Sequence, residues 1–128
     1  MEKKTIEEKT IEEMNTEKKD KVIKLEMPYE EAKSIYLNRN PVRLSELWRE
    51  DEEKNMMLVI DRESAEVYKF NISAKEIWKM CSGSHSVKAI AQHIYESMEN
   101  AQYEKVLQDT LRFLMILEKL GLLGWNND

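Results

Sequence analysis

The sequence contains a single cysteine, Cys81, and no apolar run that approaches the roughly 20 residues needed to cross a bilayer. One cysteine excludes an internal disulfide framework and a zinc site built only from cysteine. The first residues are charged and lack the apolar stretch of a secretory signal. We therefore expect a cytoplasmic protein, in which a lone thiol stays reduced.

A surplus of positive charge is also missing. The 128 residues include 20 Lys and Arg against 25 Asp and Glu, which gives a formal net charge of −5 at pH 7. Binding to nucleic acid normally requires a basic surface, and anionic membranes attract the same kind of surface. The composition therefore argues against a nucleic-acid partner and against a membrane partner.

Residues 1–20 hold five lysines, six glutamates and one aspartate. The pentad Lys-Thr-Ile-Glu-Glu occurs twice, at 4–8 and 9–13, and its period matches neither a helix nor a strand. So few apolar residues cannot offset the entropy of ordering the segment. We predict a disordered charged tail, with a Glu/Lys helix that folds on a partner as the alternative.

Residues 21–41 form an N-terminal extension whose pattern predicts first a strand and then a helix. Residues 22–27 alternate like a short strand, with apolar side chains at every second position. Pro28 suits the first turn of a helix, and the apolar spacing continues to Tyr36. Residues 38–41 end that helix, since the residue before Pro41 avoids the helical region.

The remainder, 42–124, divides into a strand half and a helix half. Alternation predicts a first strand at 42–47, and 49–55 is interpreted as a charged loop. The apolar run Met56–Ile60 and the segment 66–70 flank turn residues and predict a hairpin.

From residue 71 onward the period is helical. Ser73 with Glu76 predicts a capping box for a short helix that ends at Gly83. Ser86 opens a second helix, and a third runs from 102 to 120. Three strands followed by three helices predict an α+β domain.

The third helix is unusually apolar. On a helical wheel its apolar residues cover about half of the circumference, whereas packing on one side of a core needs a stripe of roughly 100°. The helix is therefore central in the core, or forms a dimer interface, or borders a groove that receives an apolar peptide.

Residues 58–78 resemble the core of PqqD-like proteins, the peptide-recognition elements of ribosomally made, modified peptides. The pattern is a hairpin, a strand that ends in Phe70-Asn71, and a helix with Ala74 and an Ile-Trp pair at 77–78. It continues through Gly83 and residues 86–91, and ends with Leu-Gly-Leu-Leu at 120–123. The resemblance covers about 42–124 and lies in the order and spacing of elements.

The resemblance implies a winged helix-turn-helix-like fold with a three-stranded antiparallel sheet followed by three helices. It implies a non-catalytic adaptor without a cofactor, which binds the leader of a precursor peptide and presents it to a modifying enzyme, often a radical SAM enzyme. The leader would add as a strand to the edge of the third strand and lie against the third helix. The implied strand residues are Val67, Tyr68, Lys69 and Phe70, and the implied helix residues are Val106, Asp109, Thr110, Phe113 and Leu117.

Three points stay open at this stage. Because strand side chains alternate, about half of the strand set should face the core. The strand signal at 22–27 could be an added strand or strap, or it could occupy the leader groove in cis. The sequence gives no oligomeric state.

Other residues carry no strong functional signal. Cys81, His85 and His93 lie close together but lack the ligand number and spacing of a zinc site. Cys81 has no nearby pattern for nucleophilic catalysis. Trp78 is expected in the core, and Trp48 and Trp125 are expected to cap its two ends.

Two alternatives to the adaptor are a winged-helix DNA-binding regulator and a dimerisation or scaffold module. The second helix carries Lys88 against Glu96, and residues 102–120 carry three basic and three acidic side chains. Neither helix has the positive surplus that binding to phosphates requires.

Overall fold

The computed structural model describes residues 27–61 and 63–126. The tail predicted at 1–20 and nearly all of the strand predicted at 22–27 lie outside these residues. The described elements, in chain order, are α1 (Tyr29–Tyr36), β1 (Asn40–Arg43), β2 (Trp48–Asp51), β3 (Met56–Ile60), β4 (Val67–Phe70), α2 (Ile72–Lys79), α3 (Val87–Glu96), α4 (Tyr103–Lys119) and β5 (Leu123–Asn126). None of these helices is long and apolar enough to span a membrane.

The larger sheet is antiparallel, with the strand order β2-β3-β4. The predicted hairpin of β3 and β4 is confirmed. The interpretation of 49–55 as a loop was wrong for its first three residues, because Trp48–Asp51 is the first strand of this sheet. The charge of Glu50 is compatible with a strand here because Lys75 and Lys79 of α2 lie 3.1 and 3.5 Å from its carboxylate.

A second, two-stranded sheet joins β1 to β5, with Asn40 opposite Asn126 and Arg43 opposite Leu123. The strand predicted at 42–47 is therefore correct only for Val42 and Arg43, and it does not belong to the three-stranded sheet. Leu44, which follows, is exposed. The partner strand at the other end of the chain was not predicted, because a pairing between such distant segments has no local signal.

Helix α2 begins two residues earlier than the capping box predicted. Its N-cap is Asn71, whose side chain accepts a hydrogen bond of 2.9 Å from the backbone N–H of Ala74. The prediction that Ser73 caps this helix was wrong, since Asn71 is an equally good cap and lies directly after the strand. The Ser86 cap of α3 is confirmed by its bond of 3.1 Å from the N–H of Ala89.

Helix α4 lies at the centre of the core and is buried on most of its circumference. Its Phe113 ring meets Phe70 of β4 edge to face, at 5.4 Å between centroids, and Phe70 meets Trp78 of α2 in the same way at 5.5 Å. Trp78 is fully buried, as expected, while Trp48 and Trp125 are partly buried against the core. The wide apolar face of α4 is thus largely explained by its central position.

Helix α1 has the extent that the apolar spacing predicted, to within two residues, and it packs on α4. Glu104 of α4 accepts hydrogen bonds of 2.8 Å from both the Tyr29 hydroxyl and the Lys33 ammonium. The segment after α1 also caps α3, because the backbone N–H groups of Val87 and Lys88 bond to the carbonyls of Arg39 and Leu37.

Candidate functional site

The free edge of β4 is the first part of the candidate site. Within the described ranges β4 pairs only with β3, so its other edge has no strand beside it. Asp61 donates its N–H to the carbonyl of Glu66 at 2.9 Å, which makes these two residues a hydrogen-bonded pair. Such pairs alternate along an antiparallel ladder, so Tyr68 and Phe70 bond to β3. The N–H and C=O groups of Val67 and Lys69 both point away from the sheet, towards the free edge.

The side chains of β4 divide as alternation requires. Tyr68 and Phe70 are buried on the inner face, whereas Val67 and Lys69 are exposed on the outer face. The Tyr68 hydroxyl donates a hydrogen bond of 2.6 Å to Glu66, and burial, followed by this bond to a carboxylate, raises the pKa of Tyr68. Of the four strand residues named from the sequence, two therefore belong to the core and two to the accessible edge.

Helices α2 and α4 both pack on the inner face of the sheet, and both contact Phe70 of β4. The Phe70–Phe113 contact joins α4 to the last residue of β4. Helix α2 also reaches β2, through the ion pair of Lys75 with Glu50 and the ring contact of Trp78 with Trp48 at 6.5 Å. The inner side of Phe70, at the end of β4, is therefore covered by Trp78 of α2 and by Phe113 of α4.

The five helix residues named from the sequence are all buried: Val106, Asp109, Thr110, Phe113 and Leu117. Their side chains do not share an accessible surface with those of Val67 and Lys69. Lys105 lies 3.5 Å from the Asp109 carboxylate, one turn away. The Thr110 hydroxyl is buried and has no hydrogen-bond partner among the described residues. A direct contact between these side chains and a leader stays a prediction.

Sequence reasoning missed an apolar row on the outer face of the sheet. Leu47 lies opposite Ile60, since Ile60 donates its N–H to the Leu47 carbonyl at 2.8 Å, and Ile60 lies opposite Val67. All three side chains are exposed. Their alignment depends on the register of three strands, and the sequence analysis had assigned the first of these strands to the wrong residues.

A shallow depression of about 250 Å³ beside β1 is lined by Arg43, Trp48, Cys81 and neighbouring residues. Its Arg43 guanidinium donates to the carbonyls of Trp78 and Lys79 at 3.0 Å and stacks on the Trp48 ring, so its donors already bind the protein. Burial raises the pKa of the Cys81 thiol to about 12, which disfavours the thiolate that nucleophilic catalysis needs. The described residues contain no cluster of three potential metal ligands.

Comparison with protein families gives a match, over residues 57–123, to the family described as coenzyme PQQ synthesis protein D (PqqD). Neither the curated proteins nor the solved structures gave a significant match. The matched segment contains β3 and β4, which form the hairpin with the free edge, and all of α2, α3 and α4. It covers more than half of the sequence and agrees with the order of elements on which the resemblance was based, and the chain therefore belongs to the PqqD family.

Proposed function

We propose that this protein is a non-catalytic adaptor that binds the leader of a ribosomally made precursor peptide and presents it to a modifying enzyme. The leader adds as a strand at the free edge of β4, in the groove between that edge and α4. Membership in the PqqD family supports a role beside a biosynthetic enzyme, with a peptide as the bound partner.

The free edge of β4 carries this proposal. Two residues, Val67 and Lys69, direct their N–H and C=O groups outwards, which provides four main-chain groups for an incoming strand. Main-chain bonds of this kind give a peptide affinity without fixing its sequence, and neighbouring side chains then supply selectivity.

The inner side of the added strand would meet the core near α4. Alternate residues of the leader point to the same face as Tyr68 and Phe70, and Phe113 lies directly beyond Phe70. Because the helix residues named for the groove are buried, we propose that leader side chains contact them only if the groove widens on binding. The winged helix-turn-helix classification belongs to this proposal.

The modifying enzyme is proposed to be a radical SAM enzyme, on the basis of the family resemblance. A first observation that bears on it is the genomic neighbourhood. A gene for a short peptide beside a gene for a radical SAM enzyme would support the pairing, and it would also supply the leader sequence for a binding experiment.

DNA binding is less consistent with the described helices. Helix α3 has one exposed lysine and one exposed glutamate, and α4 has as many acidic as basic side chains. A helix that enters a DNA groove needs a positive surplus for the phosphates.

Backbone hydrogen exchange tests the strand addition directly. The full-length chain is titrated with a synthetic peptide that corresponds to the leader of the neighbouring short gene, and amide exchange is followed by NMR. We expect binding to slow exchange at the N–H groups of Val67 and Lys69, because they gain partners. The N–H groups of Tyr68 and Phe70 serve as the internal control, since they already bond to β3.

Protection at Val67 and Lys69 together with binding would support the edge as the site. Tight binding without any change at these two amides would overturn strand addition. Absence of binding to the leader would overturn the adaptor function itself.

A further inference from the structure

The outer face of the three-stranded sheet has two side-chain rows that end at the free edge of β4. The apolar row consists of Leu47, Ile60 and Val67. The second row, called the basic row here, has Arg49 and Lys69 at its two ends and Leu58 between them, since Arg49 lies opposite Leu58 and Leu58 opposite Lys69. Val67 and Lys69 are therefore the last members of their rows, beside the edge where a further strand would add.

The three side chains of the apolar row are exposed to solvent, although apolar side chains are more stable when they are buried. Leu47 is 42%, Ile60 37% and Val67 45% exposed. The solvent face of an antiparallel sheet is usually polar, and aligned apolar side chains on it gain free energy when they are covered. A strand that added at the edge would place one of its own side chains in line with this row and shield Val67.

Among the described residues, the two basic side chains of this row, Arg49 and Lys69, have no counterion within ion-pair distance. The chain as a whole carries a net charge of −5, so two unpaired cations on one sheet face are a local departure from its general charge. Lys69 at the edge can meet an anion on a neighbouring strand, where directly opposite side chains lie about 5 Å apart.

We propose that the bound leader carries an apolar residue opposite Val67 and an acidic residue two positions away, opposite Lys69. This inference rests on strand addition at β4. Residues two apart on a strand face the same side, so one outward face of the leader would extend both rows. The same spacing holds whether the leader runs parallel or antiparallel to β4. The occupant is thus an acidic, amphipathic extended peptide.

The test uses a displayed library of random ten-residue peptides, selected against the full-length chain. We expect the selected peptides to be enriched in an apolar residue and an acidic residue at positions i and i+2. Selection against Lys69→Glu should replace the acidic preference with a basic one. Selection against Lys88→Glu, which makes the same charge change at an exposed site on α3, should keep the acidic preference.

Affinity measurements on one selected peptide complete the test. Replacing its acidic residue by lysine should weaken binding to the native chain by about two- to fivefold, the range expected for one cross-strand charge pair. The same lysine peptide should bind Lys69→Glu better than the original peptide does. Folding of each variant is checked by circular dichroism, and Lys69→Gln, which should bind both peptides alike, replaces Lys69→Glu if the latter does not fold.

The outcomes separate this inference from the proposed function. If selected peptides protect the amides of Val67 and Lys69 but show no acidic preference, or a preference that Lys69→Glu does not reverse, the inference is overturned and strand addition stands. If no selected peptide protects these amides, both are overturned.

Discussion

The ring of Tyr36, at the end of α1, lies against the ring of Trp125 in β5, with centroids 4.7 Å apart and planes inclined by 32°. The Arg39 guanidinium lies over the Tyr36 ring, 5.4 Å from its centroid. Together with the pairing of β1 and β5, this contact joins α1, the first described element, to β5, the last. Residues 29–43 thus pack on residues 123–126, most of which follow the segment that matches the family, and α1 also contacts Glu104 inside that segment.

Proline at the free edge should block peptide binding. Lys69→Pro or Val67→Pro removes one outward N–H, and an edge strand tolerates proline because this N–H does not bond within the sheet. Both residues face the same edge, so either variant should weaken leader binding, by about fivefold or more for one main-chain bond. Isothermal titration with the leader peptide measures the effect. Lys69→Ala, which keeps the N–H, is the control, and equal binding by Lys69→Pro and Lys69→Ala would contradict the model.

Truncation of Phe113 should destabilise the domain. Its ring is fully buried and contacts Phe70, so Phe113→Ala should lower the free energy of unfolding by about 3–5 kcal/mol. Denaturation with urea, followed by tryptophan fluorescence, measures this loss, and Lys119→Ala on the exposed side of α4 should change it by less than about 0.5 kcal/mol. Phe113→Asp or Val106→Asp should unfold the chain. A folded Phe113→Asp variant with weak leader binding would instead assign Phe113 to the groove.

Two glycines with positive φ should respond differently to alanine. A Cβ at Gly83 would lie 3.0 Å from Cγ2 of Val42, whereas a Cβ at Gly121 would have no neighbour within 4 Å. Both variants are strained in the left-handed region, by about 1–2 kcal/mol. Gly83→Ala should lose more stability than Gly121→Ala because Val42 must also move. Thermal unfolding of the two variants makes the comparison, and equal losses would show that the fold absorbs the Gly83 contact.

The Cys81 thiol should be inert in the folded protein. It is buried, donates a hydrogen bond to the Ile77 carbonyl, and has a pKa raised to about 12 by burial. At pH 8 a disulfide reagent should react only at the rate at which the chain opens, and denaturant should accelerate the reaction. A Cys81→Ala, Ser84→Cys variant carries an exposed thiol and should react at once. Rapid labelling of the native chain would contradict the burial of Cys81.

Acid should loosen α1 from α4. Hydrogen bonds from Lys33 and then Tyr29 hold the pKa of Glu104 below its usual value of 4.5. A lowered carboxyl pKa contributes stability that is present above the usual value and is lost as the pH falls through the folded value. We therefore expect the NMR ring signals of Tyr29 to shift towards those of a free tyrosine as the pH falls below the usual glutamate value and through the lowered pKa of Glu104.

Matched glutamine variants isolate the group responsible. Glu104→Gln should remove this pH dependence of the Tyr29 signals. Glu50→Gln, which removes another carboxylate with a lowered pKa, should leave it unchanged because Glu50 pairs with α2 instead. A pH response of Tyr29 that persists in Glu104→Gln would assign the docking of α1 to other contacts.

Local signals predicted the helices and the hairpin well. Residues that cap or end a helix, such as Ser86 and Gly121, act on their own neighbours and can be read from the sequence. The two errors in the predicted strands, at 42–47 and at 49–55, have a different origin. Trp48–Asp51 forms a strand despite its charge, because α2 neutralises Glu50. Strand β1 pairs with β5, which lies far from it along the described chain. Both depend on contacts between distant segments, which a local pattern does not contain.

In the candidate site, too, features with a local sequence signal could be predicted, and features that depend on distant contacts could not. Alternation alone indicated that half of 67–70 faces the core, and the β3–β4 register then identifies Val67 and Lys69 as the outward residues. The buried state of Phe113 and Thr110 could not be read from the helical wheel, since a face that borders a groove and a face inside the core have the same apolar composition. The apolar row could not be predicted from the sequence, because its alignment depends on how three strands pair with one another.

The pairing of β1 with β5 also sets an order of events during synthesis. A ribosome releases β1 well before its partner strand and Trp125, because β5 follows every other described element along the chain. Until then Tyr36 has no ring to stack on and β1 has no strand to bond to, so this part of the structure forms after translation of the rest. A product that stopped before residue 123 would leave Tyr36 without its partner ring and β1 with an unpaired edge, which favours aggregation.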